Sequence, residues 1–350
     1  MKVQRTEGRK YREGYRARVY IVFAAVVLAV AVVCVSTGSV SIPFGETIAI
    51  IWKRLAGETL PENNAVSIIL SVRLPRVLCV ALTGAALSVC GAAMQGLLKN
   101  PLADGSTLGV SSGAALGAAA AIAFGIRVPF LPFSAAMGMA MVSAFLSLVF
   151  ILSLAYRLDN SLSTNTIILI GIIFSMFISS VLSLLLTFAS EKVKNITFWT
   201  MGSLAGSSYQ NALILLGALL ICSFILFRHA RELNAFAVGE DNARNVGVNV
   251  KRVRLTILIT VSALIGICVS IGGSIGFVGL VTPHIVRMLT GPNHKKLLPA
   301  SLFAGASFLM LADLAARMLL NPLELPIGVV TSFAGSILFV YIFYKTRTRT

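Results

Sequence analysis

Apolar residues in this chain come in long runs, not at the three-and-four spacing of a half-buried helix or the alternation of a half-buried strand. The first runs from Tyr20 to Thr37, and others lie near 74–94, 107–125, 131–156, 164–188, 209–228, 255–290, 298–319 and 326–344. A helix needs about 20 mostly apolar residues to cross the hydrocarbon core. The pattern therefore predicts an all-α, polytopic membrane protein. The 255–290 run is too long for one crossing and slightly short for two. Lys251, Arg252 and Arg254 precede it and Lys295 and Lys296 follow it, and such basic clusters stay on the cytoplasmic side. The chain must then cross twice, turning where Gly272, Gly273, Gly276 and Gly279 cluster. Irregular backbone at that depth has to be covered by protein or line a cavity. This reading gives about ten spans with both ends cytoplasmic.

Composition agrees. Of 350 residues 57% are hydrophobic, more than a soluble domain's core can use, so soluble enzymes, secreted disulfide scaffolds and disordered chains are excluded. The formal charge is +16, from 29 basic against 13 acidic residues. Most of those basic residues fall on the predicted cytoplasmic segments, which accounts for the charge without nucleic acid. Residues 1–18 hold seven Lys or Arg and form a basic cytoplasmic tail, 19–344 a single membrane domain, and 345–350 a second basic tail. A cleaved signal peptide is the alternative for the N-terminus, but the long basic stretch and the later runs favour an uncut first span. The cysteines at 34, 79, 90, 222 and 268 lie inside apolar runs and read as packing residues.

Chemistry is sparse. No G-x-x-x-x-G-K-[ST] loop occurs, so this chain does not hold ATP in that way. His229, His284 and His294 show no metal-ligand spacing. Asp313 is the one acidic candidate deep in a span, and Arg317, four residues on, can neutralise it along the same helix face. Gly109, Gly113, Gly117, Ala121 and Gly125 recur every four residues, a stripe that lets a neighbouring helix approach closely. Arg73 opens one small-residue helix from outside and Arg254 another from inside, a hint of an inverted repeat. The largest cytoplasmic segment, 229–254, is polar and helix-compatible, with Gly239, Ala243 and Gly247 at four-residue spacing. A short helix with such a slim face fits a partner's groove, and a solvated loop is the alternative.

Several ordered motifs then carry a resemblance: Arg73-Leu-Pro-Arg76, Thr83 to Ser88, Asn100-Pro-Leu-Ala-Asp104, Leu108 to Gly113, Trp199 to Ser203, Gly276 to Arg287, Leu298 to Ser301, Asp313, Arg317 and Glu324 to Gly328. From about residue 70 to 344 the chain resembles the permeases of iron-chelate, haem and cobalamin ABC importers, the type II importers. The resemblance implies a cobalamin-importer-permease-like fold of about ten transmembrane helices per subunit. It implies a homodimer, or a pairing with a related permease, in the inner membrane. Two cytoplasmic ATP-binding subunits, which would carry ATP and magnesium, and an extracytoplasmic substrate-binding protein would complete it. Lipid is then the surrounding partner, nucleic acid is not one, and this chain is not an enzyme and needs no cofactor of its own.

By the same resemblance, Leu233, Gly239, Glu240, Ala243 and Gly247 would contact the ATPase. Arg73, Arg76 and Arg317 would accept glutamates of the binding protein, a task suited to the bidentate guanidinium fork; interfacial anchoring is the alternative for Arg73 and Arg76. Ser163, Thr164 and Asn165 would form an inner gate, with helix capping as the simpler reading. A ferric siderophore is the expected cargo, with haem or cobalamin as alternatives. An ion-coupled secondary transporter is the competing class.

Overall fold

The computed structural model describes residues 15–347 except 16, 39, 41, 62, 105–107, 128–133 and 161. The basic segment 1–14 and residues 348–350 lie outside the described residues, and with them most of the first expected tail and half of the second. The fold is helical, and among the described residues seven helices are long and apolar enough to span a bilayer. They are α1 (Ala17–Ser36), α3 (Asn64–Leu97), α5 (Ala135–Leu158), α6 (Thr164–Phe188), α8 (Tyr209–Arg228), α11 (Val250–Gly272) and α13 (His294–Met318). Three further helices bring the described set to the expected ten: the short α4 (Val110–Ala123) and α12 (Val278–Thr290), and the 21-residue α14 (Ile327–Arg347). Four more lie between spans: α2 (Phe44–Leu55), α7 (Val193–Thr200), α9 (Ala230–Val238) and α10 (Glu240–Asn245).

The centre of the bundle is α3, which is largely buried, whereas α1 and α6 expose most of their apolar surface. Its run of Gly84, Ala85, Ala86, Ser88, Cys90, Gly91, Ala92 and Ala93 explains this position, because small side chains admit neighbouring backbones. A Cβ on Gly84 would lie 2.3 Å from the Gly305 carbonyl oxygen, and one on Gly91 would lie 1.8 Å from that of Gly279. Helix α13 runs antiparallel to α3: Arg76 meets Asp313 near one end, Gly84 meets Gly305, and Gly96 meets His294 near the other. Sequence periodicity places the start of α3 ten residues late. The helix begins at Asn64, capped by Asn63 accepting from the Val66 amide at 2.8 Å, and passes through a π-helical stretch, Ile68–Arg73.

The glycine stripe packs as expected only over its middle part. Gly113 and Gly117 face α5, where added Cβ atoms would sit 1.8 Å from Ser147 Oγ and 2.3 Å from Ser143 Oγ. Gly109 and Gly125 fall outside the helix, at φ 75° and 62°. The 255–290 run breaks where its glycines cluster, though unevenly. Helix α11 takes 23 residues, a full span, and α12 only 13, about 20 Å of rise and less than a crossing. The irregular link is covered by protein: the Ser203 amide donates to the Gly272 carbonyl at 2.8 Å, and Gly273 sits against the Trp199 carbonyl.

Candidate functional site

Two clusters of polar groups occupy opposite ends of the bundle. At the first, the arginines expected to face a partner turn inward. Arg73 is 5% exposed and donates to the carbonyls of Val35 at 3.0 Å, Ser36 at 2.9 Å and Val40. Arg317 is 4% exposed and donates to the Cys34 and Thr37 carbonyls at 3.0 and 3.1 Å. These acceptors include carbonyls of the last turn of α1, which have no partner within the helix, and cationic groups there also complement its dipole. Arg76 places Nε and one terminal nitrogen 3.0 and 2.9 Å from Asp313 Oδ1, and its other terminal nitrogen 2.7 Å from Glu324 Oε2. The expected Asp313–Arg317 pair is present, with Arg317 Nε 3.0 Å from Asp313 Oδ2. Asp313, 1% exposed, is thus shared by two arginines, and the half-exposed Glu324 is the acid of this group nearest solvent. Each guanidinium fork is already occupied, so an external carboxylate would have to displace an internal partner.

At the other end, the 229–254 segment folds as two short helices, where a single slim-faced helix was expected. Gly239, at φ 144°, separates α9 from α10, and Gly247, at φ 86°, ends α10. Leu233 and Ala243 are fully buried against the bundle, so neither lies on an outward face. Outward instead are Val238 and Val246, each 73% exposed, with Asp241, Asn242, Arg244 and Asn245 between them. Glu240 forms an ion pair with Arg254 of α11. Asn234 of α9 accepts from the His294 backbone amide and from His294 Nδ1, both at 2.8 Å, and donates to Asn293 Oδ1 at 3.0 Å, which fastens α9 to the start of α13.

Arg254, read in the sequence as one of a basic cluster and as the opening of a helix, organises this end. It is 2% exposed, and besides Glu240 it donates to the Leu162 carbonyl at 2.6 Å. Leu162 is left-handed at φ 52°, a costly conformation for a branched residue. It directly precedes the three expected gate residues. Ser163 caps α6, accepting from the Thr166 amide at 3.4 Å, while Asp159 Oδ2 accepts from the Ser163 amide at 3.0 Å and the Thr166 hydroxyl at 3.1 Å. Thr164 follows in the first turn, half-buried, and Asn165 is exposed. The capping reading is therefore realised, and the coupling and gate candidates meet through one arginine.

Between the two ends a recess of about 580 Å³ opens beside the broken helix. Asp104, Thr200, Ser274, Phe277 and Ser332 are among its lining residues. Among the described residues no group of three His, Cys, Asp or Glu is placed to hold a metal ion.

A family profile described as the FecCD transport family matches residues 25–345. The uncharacterized ABC transporter permease protein YvrB of Bacillus subtilis (strain 168) is 39% identical over 321 residues, 91% of each chain. The molybdate import system permease protein MolB of Haemophilus influenzae is 36% identical over 320 residues, covering 91% of this chain and 92% of that protein. A solved inward-facing structure of an ABC transporter described as metal-chelate type superposes with a TM-score of 0.81 at 31% identity, over 94% of this chain and 100% of the other.

Proposed function

The chain belongs to the FecCD transport family and is a non-catalytic, multi-pass permease subunit of an ABC importer, and from that premise we propose that it carries an iron chelate, most simply a ferric siderophore, from an external binding protein into the cytoplasm. In this reading two copies, or this chain and a related permease, form the path in the inner membrane with both termini cytoplasmic. ATP and magnesium reside on two partner ATPases. The family membership supports the class. Haem and cobalamin stay as alternative cargoes, and the MolB relative adds molybdate to the panel to be tested.

The observation that carries the mechanism is the Glu240–Arg254–Leu162 chain. ATPase closure would press on the outward surface of α9 and α10, from Val238 to Val246. Glu240 would pass the displacement to Arg254, and Arg254 to the left-handed turn before Ser163, Thr164 and Asn165. A ligand shifts such an equilibrium only by its different affinity for the two states, so ATP drives transport to the extent that this link distinguishes them. Leu233 and Ala243 would act from beneath as supports, with Gly239 and Gly247 shaping the segment. At the opposite end Glu324 is the exchangeable partner of Arg76. A binding-protein carboxylate taking its place would engage Arg76 while Arg73 and Arg317 hold the end of α1.

The test is reconstitution with the ATPase and binding protein. Arg254→Lys keeps the charge but loses the fork, and the expectation is retained ATP hydrolysis with strongly reduced uptake. Uptake and hydrolysis unchanged together would remove Arg254 from the path.

A further inference from the structure

The 41–72 stretch carries no motif, yet it folds into α2, whose three faces differ sharply. Thr47 and Ile50 are buried at 0% and 5% exposure and seat the helix on the bundle. Glu46 and Lys53 face solvent on a second side. On the third side Phe44, Ile48, Trp52 and Leu55 follow at helical spacing, so their side chains share one stripe. They are 53%, 45%, 70% and 79% exposed. An apolar face this open, on a helix already seated by another face, calls for a covering phase.

Its position says which phase. Arg73 grips Val35 and Ser36 at the end of α1 and Val40 in the turn toward α2, so α2 is held beside the terminus of a span. Ile21, Val22, Val26, Leu28 and Val33 on α1, and Leu213, Leu216, Leu220 and Phe224 on α8, are exposed apolar residues that give both spans an outer face suited to lipid. At the start of α8 the Tyr209 hydroxyl donates at 2.6 Å to the carbonyl of Leu70, one turn before Arg73 on α3. Tyr209 thus lies at the same end of the bundle as α2 with its Trp52, and Trp and Tyr collect at membrane–water boundaries. Lys53 and Arg54 in the last turn supply the cationic edge of an in-plane helix.

We propose that α2 lies in the interfacial layer of the bilayer, with Phe44, Ile48, Trp52 and Leu55 among the upper acyl chains and Lys53 and Arg54 at lipid phosphates. The helix then adds to the lipid-suited faces of α1 and α8 at the arginine end of the bundle. This inference needs only a chain that spans the membrane and is independent of the cargo.

The experiment uses the full chain with Trp199→Phe, which leaves Trp52 as the sole tryptophan, in phosphatidylcholine–phosphatidylglycerol vesicles. Phosphatidylcholine brominated near the head group should quench Trp52 emission about twofold, and lipid brominated near the chain ends should quench it far less, as expected of a helix about 5–10 Å deep. Absent lipid quenching, with full access of aqueous acrylamide, would overturn the proposal. Lipid quenching abolished by adding the binding protein would also overturn it and assign the face to a protein partner. If Trp199→Phe does not fold, a spin label at Leu55→Cys should collide more with oxygen than with a water-soluble nickel chelate. The reverse ratio would again overturn the proposal.

Discussion

Replacing Asp313 by Asn removes one negative charge and little volume from a carboxylate that is 1% exposed and lies within 3.0 Å of two guanidinium groups. Breaking a buried ion pair by removing one partner typically costs about 3–5 kcal/mol, because the other charge is left uncompensated. Here both arginines keep other acceptors, Arg76 at Glu324 and Arg317 at the carbonyls of Cys34 and Thr37. The expected loss therefore lies near the lower limit, about 3 kcal/mol. Equilibrium unfolding in mixed micelles, followed by circular dichroism, would read it. A double-mutant cycle then isolates the pair: with Arg76→Met already present, Asp313→Asn should cost about 1–2 kcal/mol less than it does alone. A loss below about 1 kcal/mol for Asp313→Asn, or strict additivity with Arg76→Met, would refute the shared-carboxylate account.

Glu240→Gln should lower stability, because buried Arg254 loses its carboxylate, while the folded protein keeps ATP hydrolysis and loses uptake, read as transported cargo per ATP in proteoliposomes. Gly91→Val should abolish recovery of monodisperse protein on size exclusion, because a Cβ there would sit 1.8 Å from the Gly279 oxygen, whereas Gly206→Ala, with nothing within 4 Å, should be silent. Gly247→Ala should cost about 1–2 kcal/mol in unfolding, from its left-handed backbone alone, since an added Cβ meets nothing within 4 Å. Arg73→Glu should lower thermal stability in detergent before it affects binding-protein affinity, because its forks hold three backbone carbonyls. Intact stability with weakened affinity would instead make it a direct docking residue.

Local spacing made part of this protein legible. Run lengths located the spans, the glycine cluster marked the break between α11 and α12, and the four-residue separation of Asp313 and Arg317 announced their ion pair. The four-residue stripe on α4 likewise foretold its close approach to α5. Contacts made by chain reversal were not legible. Arg76 reaches Asp313 across 237 positions and Arg254 reaches Leu162 across 92, and no local pattern encodes either. Spacing also misled: Gly239, Ala243 and Gly247 suggested one helical face, but two of the three adopt positive φ and end helices instead, as do Gly109 and Gly125 at the limits of the other stripe. Helix α2 was missed because its apolar stripe is only twelve residues long and mixed with charge, well short of a span.

The central claim, an ATP-driven importer permease, is tested most directly by uptake in cells with and without this chain. Labelled ferric siderophores, haem, cobalamin and molybdate would be offered in turn, alongside purification of the chain to identify an associated ATPase. The expected result is loss of ATP-dependent uptake of one cargo, a ferric siderophore, together with a co-purifying ATPase. Uptake that persists on an ion gradient without any ATPase would contradict it.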